Sequence, residues 1–235
     1  MNTEKDIIDF IINNIVTGKY KEGDKLPSEN EIANHFSVTR IVVRKAYERL
    51  NEMGYINSIK GKGTFLKERK KKIHLILSGN QSFTKKMNDN NYNLYSKNVF
   101  CKKINYNEKI YKILKADDFE QIYKIGRLRI VDDRPVALHI SYVKKSTFND
   151  IDSEGMKILS MFEYYKSKGF NEFNSKQSVL SVSFPTKLER ELLNCSGFVP
   201  ILVIKSGCYD KETNKILEFS KIIYRSDCFQ YLISK

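Results

Sequence analysis

Apolar and polar positions follow two different patterns along the chain. Between residues 28 and 50 the apolar side chains recur every three or four positions, as they do in amphipathic helices. Beyond residue 72 they alternate with polar side chains in seven short segments, as they do in strands with one exposed face. The pattern therefore predicts a small helical domain followed by a larger domain built around a sheet.

The helical part predicts two helices joined by a tight turn. Ser28 follows Pro27 and precedes Glu31 by three positions, which is the spacing of a capping box, so a helix is expected to start at Ser28. A second N-cap at Thr39 is expected to bond the free amides of the next helix. The inward-facing positions of that helix are Val43, Ala46, Tyr47 and Leu50.

The start of the second helix carries candidate DNA contacts. The side chains predicted to point outward there are Arg40, Val42, Arg44 and Lys45. A helix-turn-helix places the first turn of its second helix against base edges in the major groove, and arginine can read guanine bidentately. Taken alone, Arg40 and Arg44 would be interpreted as part of a solvated helix face.

A two-stranded wing is predicted after the second helix. Residues 55–59 and 64–66 are strand-like, and the segment between them consists of Lys60, Gly61, Lys62 and Gly63. Glycines at a hairpin tip let the backbone approach a phosphate chain closely, and lysines attract that chain. The tip alone would indicate only a turn, whereas two helices and a wing in this order indicate a DNA-binding domain.

Residues 5–66 resemble the winged helix-turn-helix of the GntR family of bacterial transcription regulators. Four segments carry the resemblance: Leu26-Pro27-Ser28-Glu29, Val38-Thr39-Arg40, Val43-Arg44-Lys45-Ala46 and Gly61-Lys62-Gly63-Thr64. The resemblance implies DNA contact by Ser28, Thr39, Arg40, Arg44, Lys60, Gly61, Lys62 and Gly63. The chain departs from the family pattern at Asn30 and Val42, which bears on its operator preference, and Val42 can still pack on a thymine methyl group.

The charge distribution agrees with a polyanionic partner. The chain carries 41 Lys+Arg against 28 Asp+Glu, a formal net charge of +13. Residues 37–72 hold 11 basic and 3 acidic side chains, whereas residues 73–235 hold 26 and 18 over a much greater length. Positive charge is therefore densest in the second helix, the wing and the basic run at 67–72.

An α+β domain is predicted beyond the basic run. Strands are expected at residues 73–77, 95–104, 122–130, 136–143, 176–184, 201–209 and 216–224, and helices at 108–114, 156–168 and 187–193. Strands that return to their neighbours through short turns favour a mainly antiparallel sheet with flanking helices.

This larger domain resembles the UTRA effector domain, which is similar to chorismate lyase in fold and defines the HutC branch of the GntR family. The matching segments are Ser82-Phe83-Thr84, Arg127-Leu128-Arg129, Asp132-Asp133-Arg134-Pro135, Ser160-Met161-Phe162 and residues 217–227. In the sugar-phosphate sensors of this branch, hydroxyl and arginine groups hold the phosphate, which implies Thr84, Arg127, Arg129 and Ser160 here. The predicted effector site also includes Phe83, His139, Phe162, Glu218 and Tyr224.

The spacing of Arg127 and Arg129 supports an anion site independently of the resemblance. Residues two apart on a strand share a face, and two adjacent guanidinium groups repel each other unless an anion or carboxylates lie between them. The alternative is an ordinary surface ion pair with Asp132 or Asp133. The spacing leaves both interpretations open, and the resemblance favours a ligand.

His139 bears on the identity of that ligand. It occupies the position, four residues after the proline, where amino-sugar phosphate sensors of the branch have glutamate, and a histidine on a strand is more often a core residue than a ligand contact. Residues 180–186 and 200–204 also resemble regulators of phosphonate metabolism. The predicted effector is a small phosphorylated sugar or a phosphonate. Catalysis by His139 and Glu218 as acid and base is the enzymatic alternative.

Other features argue against several classes of protein. No segment resembles a signal peptide, and none is long and apolar enough to span a bilayer, so no membrane partner is expected. The cysteines at 101, 195, 208 and 228 have neither close pairing nor metal-ligand spacing. They are predicted to be reduced packing residues, with no disulfide, metal or cofactor.

The sequence predicts a cytoplasmic transcription repressor that is not an enzyme. The predicted organisation is a DNA-binding domain at 1–67, a basic linker at 68–75 and an effector-binding and dimerisation domain at 76–235. A homodimer on a palindromic double-stranded DNA operator is expected because one short helix reads few base pairs. The alternatives are a low-specificity nucleic-acid-binding protein, a chorismate-lyase-like enzyme domain fused to a DNA-binding domain, and a winged domain that contacts only proteins.

Overall fold

Helices and strands alternate along the chain in the computed structural model, which describes residues 3–67, 72–76, 82–175 and 177–232. They are grouped in two compact units. The first comprises Met1–Lys72 and Cys195–Val199, and the second comprises Ile73–Asn194 and Pro200–Lys235. The predicted linker at 68–75 lies largely outside the described residues, and the domain limits at 67 and 76 stay predictions.

The first unit contains three helices and a hairpin. In chain order these are α1 (Glu4–Val16), α2 (Glu29–Phe36), α3 (Arg40–Glu52), β1 (Ile56–Ile59) and β2 (Gly63–Leu66). Its core is formed by Ile7, Ile11, Leu26, Ile32, Ala33, Val43, Ala46, Tyr47, Leu50, Ile56 and Leu66. The structure therefore contains the two helices, the buried stripe of the second helix and the wing that the sequence predicts.

The ends of α2 and α3 show how the two helices are joined. The Ser28 side chain accepts a hydrogen bond from the Glu31 amide (3.3 Å), and the Glu31 carboxylate accepts one from the Ser28 amide (2.7 Å), which confirms the capping box. Ser37 ends α2 in the left-handed conformation, with a φ of 52°. Thr39 occupies the predicted N-cap position of α3, but its side chain makes no capping hydrogen bond, so only that part of the prediction is wrong. The Val42 amide is instead bonded to the Thr39 carbonyl (3.1 Å).

The second unit is a sheet flanked by short helices. Its strands are β3 (Ile73–Ile76), β4 (Leu94–Lys103), β5 (Ile122–Val131), β6 (Arg134–Lys144), β7 (Phe173–Asn174), β8 (Ser178–Ser183), β9 (Ile201–Asp210), β10 (Ile216–Arg225) and β11 (Phe229–Leu232). Its helices are α4 (Phe83–Asp89), α5 (Glu108–Leu114), α6 (Ile151–Glu154), α7 (Met161–Ser167) and α8 (Lys187–Leu193).

Seven of these strands form one antiparallel sheet in the order β4-β5-β6-β10-β9-β7, with β8 also paired to β9. The arrangement confirms the predicted α+β class. β3 does not join this sheet but pairs in parallel with β11, Ile73 lying opposite Phe229. The strand predicted at 73–77 corresponds to β3, although residue 77 lies outside the described ones, and β11 was not predicted.

The helix predicted at 156–168 begins five residues later than expected. The Asn98 side-chain amide donates hydrogen bonds to the carbonyls of Gly155, Met156 and Ile158, which keeps this segment in a loop. Ser160 then caps α7 by accepting a hydrogen bond from the Glu163 amide. The error therefore comes from a contact with a distant strand.

Within the described ranges, no helix has the length and apolar character needed to cross a bilayer.

Candidate DNA-binding surface and effector cavity

Two arginines lie side by side on the exposed face of α3. Guanidinium nitrogens of Arg40 and Arg44 each lie 3.5 Å from the same carboxylate oxygen of Glu29, which stands at the start of α2. The two arginine side chains remain 60% and 57% exposed. Glu29 therefore restrains both groups without removing them from solvent, and exposed pairs of this kind contribute only about 0–1 kcal/mol to stability.

Most of the residues predicted to contact DNA lie at the surface of the first unit. The exposed ones are Ser28, Thr39, Arg40, Arg44, Lys45, Lys60, Gly61, Lys62 and Gly63. Val42 is half-buried and packs against the core, so its predicted outward orientation is wrong. The neighbouring Ile41 is 65% exposed instead. At helical spacing Ile41 lies opposite the buried stripe, and this signal in the sequence was missed.

The wing tip is a glycine-dependent turn. Gly61 and Gly63 have φ values of 77° and 115°, which residues other than glycine rarely adopt. Lys60 and Lys62 are exposed between and beside them. A side chain at Gly63 would also meet the Lys25 side chain, because its Cβ would lie 2.7 Å from the Lys25 Cε atom.

A cavity of about 390 Å³ lies against the large sheet of the second unit. This volume is within the usual range for small-molecule sites. The nine residues predicted to form the effector site all line the cavity: Phe83, Thr84, Arg127, Arg129, His139, Ser160, Phe162, Glu218 and Tyr224. They come from α4, β5, β6, β10 and the start of α7.

The register of the sheet explains why these side chains meet. Arg127 on β5 lies opposite His139 on β6, which lies opposite Ile222 on β10. Two residues further along β5, Arg129 lies opposite Ala137 on β6, and Ala137 lies opposite Tyr224 on β10. Positions two apart share a face, so both rows project into the same cavity.

Both arginines are buried in the cavity wall. Arg127 and Arg129 are only 5% and 3% exposed. Arg127 donates a hydrogen bond to the Ser141 hydroxyl (2.7 Å), and Arg129 donates to the Ser96 hydroxyl and to the Leu159 carbonyl (3.0 Å). Neither forms an ion pair with a carboxylate among the described residues. The interpretation as surface ion pairs is therefore wrong.

The buried arginines bring two positive charges into the cavity wall, and the nearby Glu218 carboxylate offsets part of the charge of Arg127. Burial lowers the pKa of Arg127, and burial together with the neighbouring Arg127 lowers the pKa of Arg129 to about 9. Arg129 is therefore cationic at neutral pH, and Arg127 is cationic because a guanidinium group does not lose its proton in proteins. In the part of the chain that the structure describes, their Nε atoms have no hydrogen-bond partner. An anion placed between them would satisfy both the charge and the unused donors.

His139 and Glu218 bring further polar atoms to the cavity. Burial, and then the charges of Arg129 and Arg127, hold the pKa of His139 well below its usual value, so its imidazole is neutral. The ring of Phe83 packs edge-on against it, with centroids 5.1 Å apart. His139 Nε2 and Glu218 Oε2 are both buried without a hydrogen-bond partner among the described residues.

A row of serines crosses the sheet beside the arginines. Its members lie opposite one another on β6, β10, β9 and β8, and are Ser141, Ser220, Ser206 and Ser178. The last three line the cavity. The Ser178 hydroxyl lies 3.0 Å from that of Ser206. Sequence reasoning missed this row because the four serines become neighbours only through the register of the strands.

The cysteines are not part of this polar site, with the exception of Cys208 in its wall. All four are free thiols, and Cys208 and Cys228 are buried. Burial raises the pKa of Cys228 to about 11, which keeps it a thiol at neutral pH. In the described segments no three His, Cys, Asp or Glu side chains are grouped as metal ligands.

Two known protein families match the chain, one over the DNA-binding surface and one over the effector cavity. Residues 3–66 match the family described as "Bacterial regulatory proteins, gntR family", and residues 90–230 match the UTRA domain. The chain belongs to the GntR family and has the HutC-type architecture. Its first unit is therefore a winged helix-turn-helix DNA-binding domain and its second a UTRA effector-binding domain. As a member of this family, the protein is a transcription regulator and not an enzyme.

Similar proteins cover nearly the whole chain. The mannosyl-D-glycerate transport/metabolism system repressor MngR of Escherichia coli (strain K12) is 26% identical over 97% of this chain and 94% of its own. The transcriptional repressor NagR of Bacillus subtilis (strain 168) is 26% identical over 96% and 91%. The crystal structure of PhnF from Mycobacterium smegmatis has the same fold, with a TM-score of 0.63 and 20% identity over 97% of this chain and 98% of that one.

Proposed function

We propose that this GntR-family regulator is a homodimeric repressor in the cytoplasm. It binds a palindromic operator, and its DNA affinity is set by a small phosphorylated or phosphonate effector held in the UTRA cavity. The pair of buried arginines, whose side chains donate hydrogen bonds to hydroxyl and carbonyl groups, carries this proposal. Relatives that repress genes, such as MngR and NagR, support repression over activation.

The exposed start of α3 is proposed to read the operator. Arg44 and Arg40 are suited to guanine or phosphate, and Lys45 to phosphate. Ile41 replaces Val42 as the candidate for apolar contact with a thymine methyl group, because Ile41 is exposed and Val42 is not. Lys60 and Lys62 of the wing contact the adjacent backbone, with the helix caps Ser28 and Thr39 beside the phosphates.

Replacing Arg44 with Ala tests this reading helix. The duplex probe is DNA from directly upstream of the protein's own coding region, and affinity is measured by fluorescence anisotropy. One lost base contact costs about 1–3 kcal/mol, so affinity should fall by about 5–150-fold. Lys112→Ala removes an exposed cation from α5 in the other unit and should leave affinity unchanged.

The same titration separates the operator reading from low-specificity binding. A sequence-specific repressor should lose its preference for the upstream duplex when Arg44 is replaced, and wild-type binding should weaken steeply with added salt. Equal wild-type affinity for the upstream duplex and a scrambled duplex would instead support non-specific nucleic-acid binding. Unchanged affinity in Arg44→Ala would refute the assignment of α3.

The effector is proposed to bind with its anionic group on Arg127 and Arg129. Thr84 and Ser160, which line the same cavity, supply hydroxyl groups to that anion. Further polar groups of the cavity can bond hydroxyl groups of a ligand. They are the serine row, the neutral His139 and the Glu218 oxygen that has no hydrogen-bond partner among the described residues. This distribution favours a hydroxylated body, as in a sugar phosphate, over a bare phosphonate.

Replacing Arg129 with Met tests the anion site. Inorganic phosphate and a panel of sugar phosphates and phosphonates are screened by thermal shift. A ligand at ten times its dissociation constant should stabilise the wild type by about 1.4 kcal/mol and raise its Tm. Arg129→Met should lose this response. Its own Tm should change little, because removal of a buried charge offsets the loss of the hydrogen bonds to Ser96 and Leu159.

Lys112→Met is the matched control, since it removes an exposed cation and should respond as the wild type does. A full ligand response in Arg129→Met would show that the anion binds elsewhere. The DNA-binding experiment does not depend on this result, so the two halves of the proposed function can fail separately.

A further inference from the structure

A second cavity of about 450 Å³, the outer compartment, lies beside the effector cavity in the second unit. Four residues line both cavities and form a shared border: Ser82, Phe162, Phe173 and Asn174. The rings of Phe162 and Phe173 pack against each other in this border, with centroids 4.5 Å apart. Of the nine residues assigned to the effector site, Phe162 also lines the outer compartment.

A line of hydroxyl groups connects the buried arginines to the shared border. The Ser141 hydroxyl accepts a hydrogen bond from Arg127 (2.7 Å), and Ser220 lies opposite Ser141 on the next strand. The Ser220 hydroxyl donates to the Ser206 carbonyl (3.2 Å), and the Ser206 hydroxyl is hydrogen-bonded to that of Ser175. Ser175 directly follows a residue of the shared border. A ligand anchored at the arginines therefore meets hydroxyl groups all the way to the outer compartment.

The lining of the outer compartment is polar and nearly neutral. Eight of its ten residues are polar or charged. Lys166 lies 3.6 Å from the Glu163 carboxylate, and Lys211 lies 3.2 Å from the Glu172 carboxylate. Lys85 is the remaining cation of this lining. A second phosphate group would need several unpaired cations, whereas hydroxyl groups can donate to the carboxylates and accept from the ammonium groups.

The two phenylalanines of the shared border add apolar ring surface. Phe162 and Phe173 are half-buried and line both cavities. Small-molecule sites combine aromatic walls with a few polar groups that fix the orientation of the ligand. A sugar ring suits this combination, because its C–H groups pack on aromatic faces while its hydroxyl groups bond the surrounding polar side chains.

We propose that the outer compartment binds the second ring of a phosphorylated disaccharide whose phosphate lies on Arg127 and Arg129. The inference rests on the anion site of the proposed function and narrows the effector to a disaccharide monophosphate. The effector cavity alone has the volume of a small-molecule site, so it accommodates the phosphorylated ring. The second ring then continues across the shared border into the outer compartment.

Replacing Asn171 with Trp tests the outer compartment. Asn171 is exposed and lines this compartment but not the effector cavity. The added indole occupies the space that the second ring needs and leaves the arginines unchanged. Asn149→Trp is the matched control, because Asn149 is also exposed and lines neither cavity.

Isothermal titration calorimetry of the full-length protein compares two classes of ligand. The probes are the 6-phosphates of glucose, mannose, galactose and fructose, and the monophosphates of maltose, cellobiose, lactose and trehalose. We expect the best disaccharide monophosphate to bind the wild type about tenfold more tightly than the best hexose phosphate, as one or two added hydrogen bonds would give. Asn171→Trp should lose this preference and keep the wild-type affinity for the hexose phosphate, while Asn149→Trp should behave as the wild type.

Replacing Lys211 with Ala gives a second measurement that does not depend on added bulk. Its ammonium group lines the outer compartment, so its loss should weaken binding of the disaccharide monophosphate about fivefold and leave that of the hexose phosphate unchanged. Lys215→Ala is the control, because Lys215 is a nearby exposed lysine that lines neither cavity.

The outcomes separate this inference from the proposed function. Hexose phosphates that bind as tightly as every disaccharide monophosphate would overturn the role of the outer compartment and leave the anion site standing. A disaccharide preference that persists in Asn171→Trp, or a loss of hexose phosphate binding in that variant, would also overturn the inference. Binding of neither class of ligand by the wild type would refute the anion site itself, and this inference with it.

Discussion

The buried cations and His139 show how single residues tune the cavity. Burial and the neighbouring Arg127 lower the pKa of Arg129, and burial together with both guanidinium groups lowers the pKa of His139. An anion bound beside these groups would offset their positive charge. His139 stays neutral in this wall because a protonated imidazole would add a third buried positive charge beside the two arginines.

The neutral state of His139 predicts a pH dependence of stability. Its pKa in the folded protein lies well below the 6.5 expected for the unfolded chain. Below pH 6.5 the unfolded chain gains a proton that the folded protein does not, so stability falls as the pH falls. The loss is at most about 1.4 kcal/mol per pH unit. We expect the Tm of the wild type to fall between pH 7.5 and 5.5.

His139→Gln is the control for this effect. It should show a flatter Tm profile over the same range, because most carboxylates titrate below it. Thermal unfolding followed by circular dichroism provides the measurement. Equal slopes in the two proteins would mean that other groups cause the pH dependence.

At the scale of elements, the N-caps of α2 and α3 differ in strength. Ser28 accepts a hydrogen bond from the Glu31 amide, whereas the Thr39 side chain caps nothing. Ser28→Ala should therefore destabilise α2 by about 1 kcal/mol, within the usual range for lost caps. Thr39→Ala should have a smaller effect on α3.

Hydrogen exchange of the Ile32 and Ala33 amides measures the first effect, which corresponds to about fivefold faster exchange. The second is followed at Val43 and Ala46 of α3. Equal acceleration in both helices would show that Thr39 caps α3 in solution.

Local sequence predicted the elements that local contacts determine. Helices α5 and α8 lie at the predicted 108–114 and 187–193, because Asn107 and Thr186 cap them through neighbouring residues. The start of α7 was wrong because it depends on Asn98, more than fifty residues earlier. The nine cavity residues could be predicted because the family motifs that contain them were recognisable in the sequence. The serine row was not predictable, since it requires the register of four strands.

At the scale of the whole molecule, effector and DNA should influence each other equally. If the effector changes DNA affinity by some factor, DNA must change effector affinity by the same factor. We expect this factor to be about 5–150, the usual range for a coupling of 1–3 kcal/mol. The compound with the largest thermal shift is titrated with and without the upstream duplex, and the duplex with and without the compound.

Agreement of the two factors would show that both ligands act on one equilibrium between dimer geometries.

The parallel pairing of β3 with β11 has a consequence for biosynthesis. Ile73–Ile76 follow the DNA-binding unit in the chain, yet their strand partner is Phe229–Leu232. On the ribosome β3 is therefore made long before its strand partner, which is translated last among the described strands. A nonsense codon shortly before position 229 would leave the winged helix-turn-helix sequence intact but remove the strand that pairs with β3.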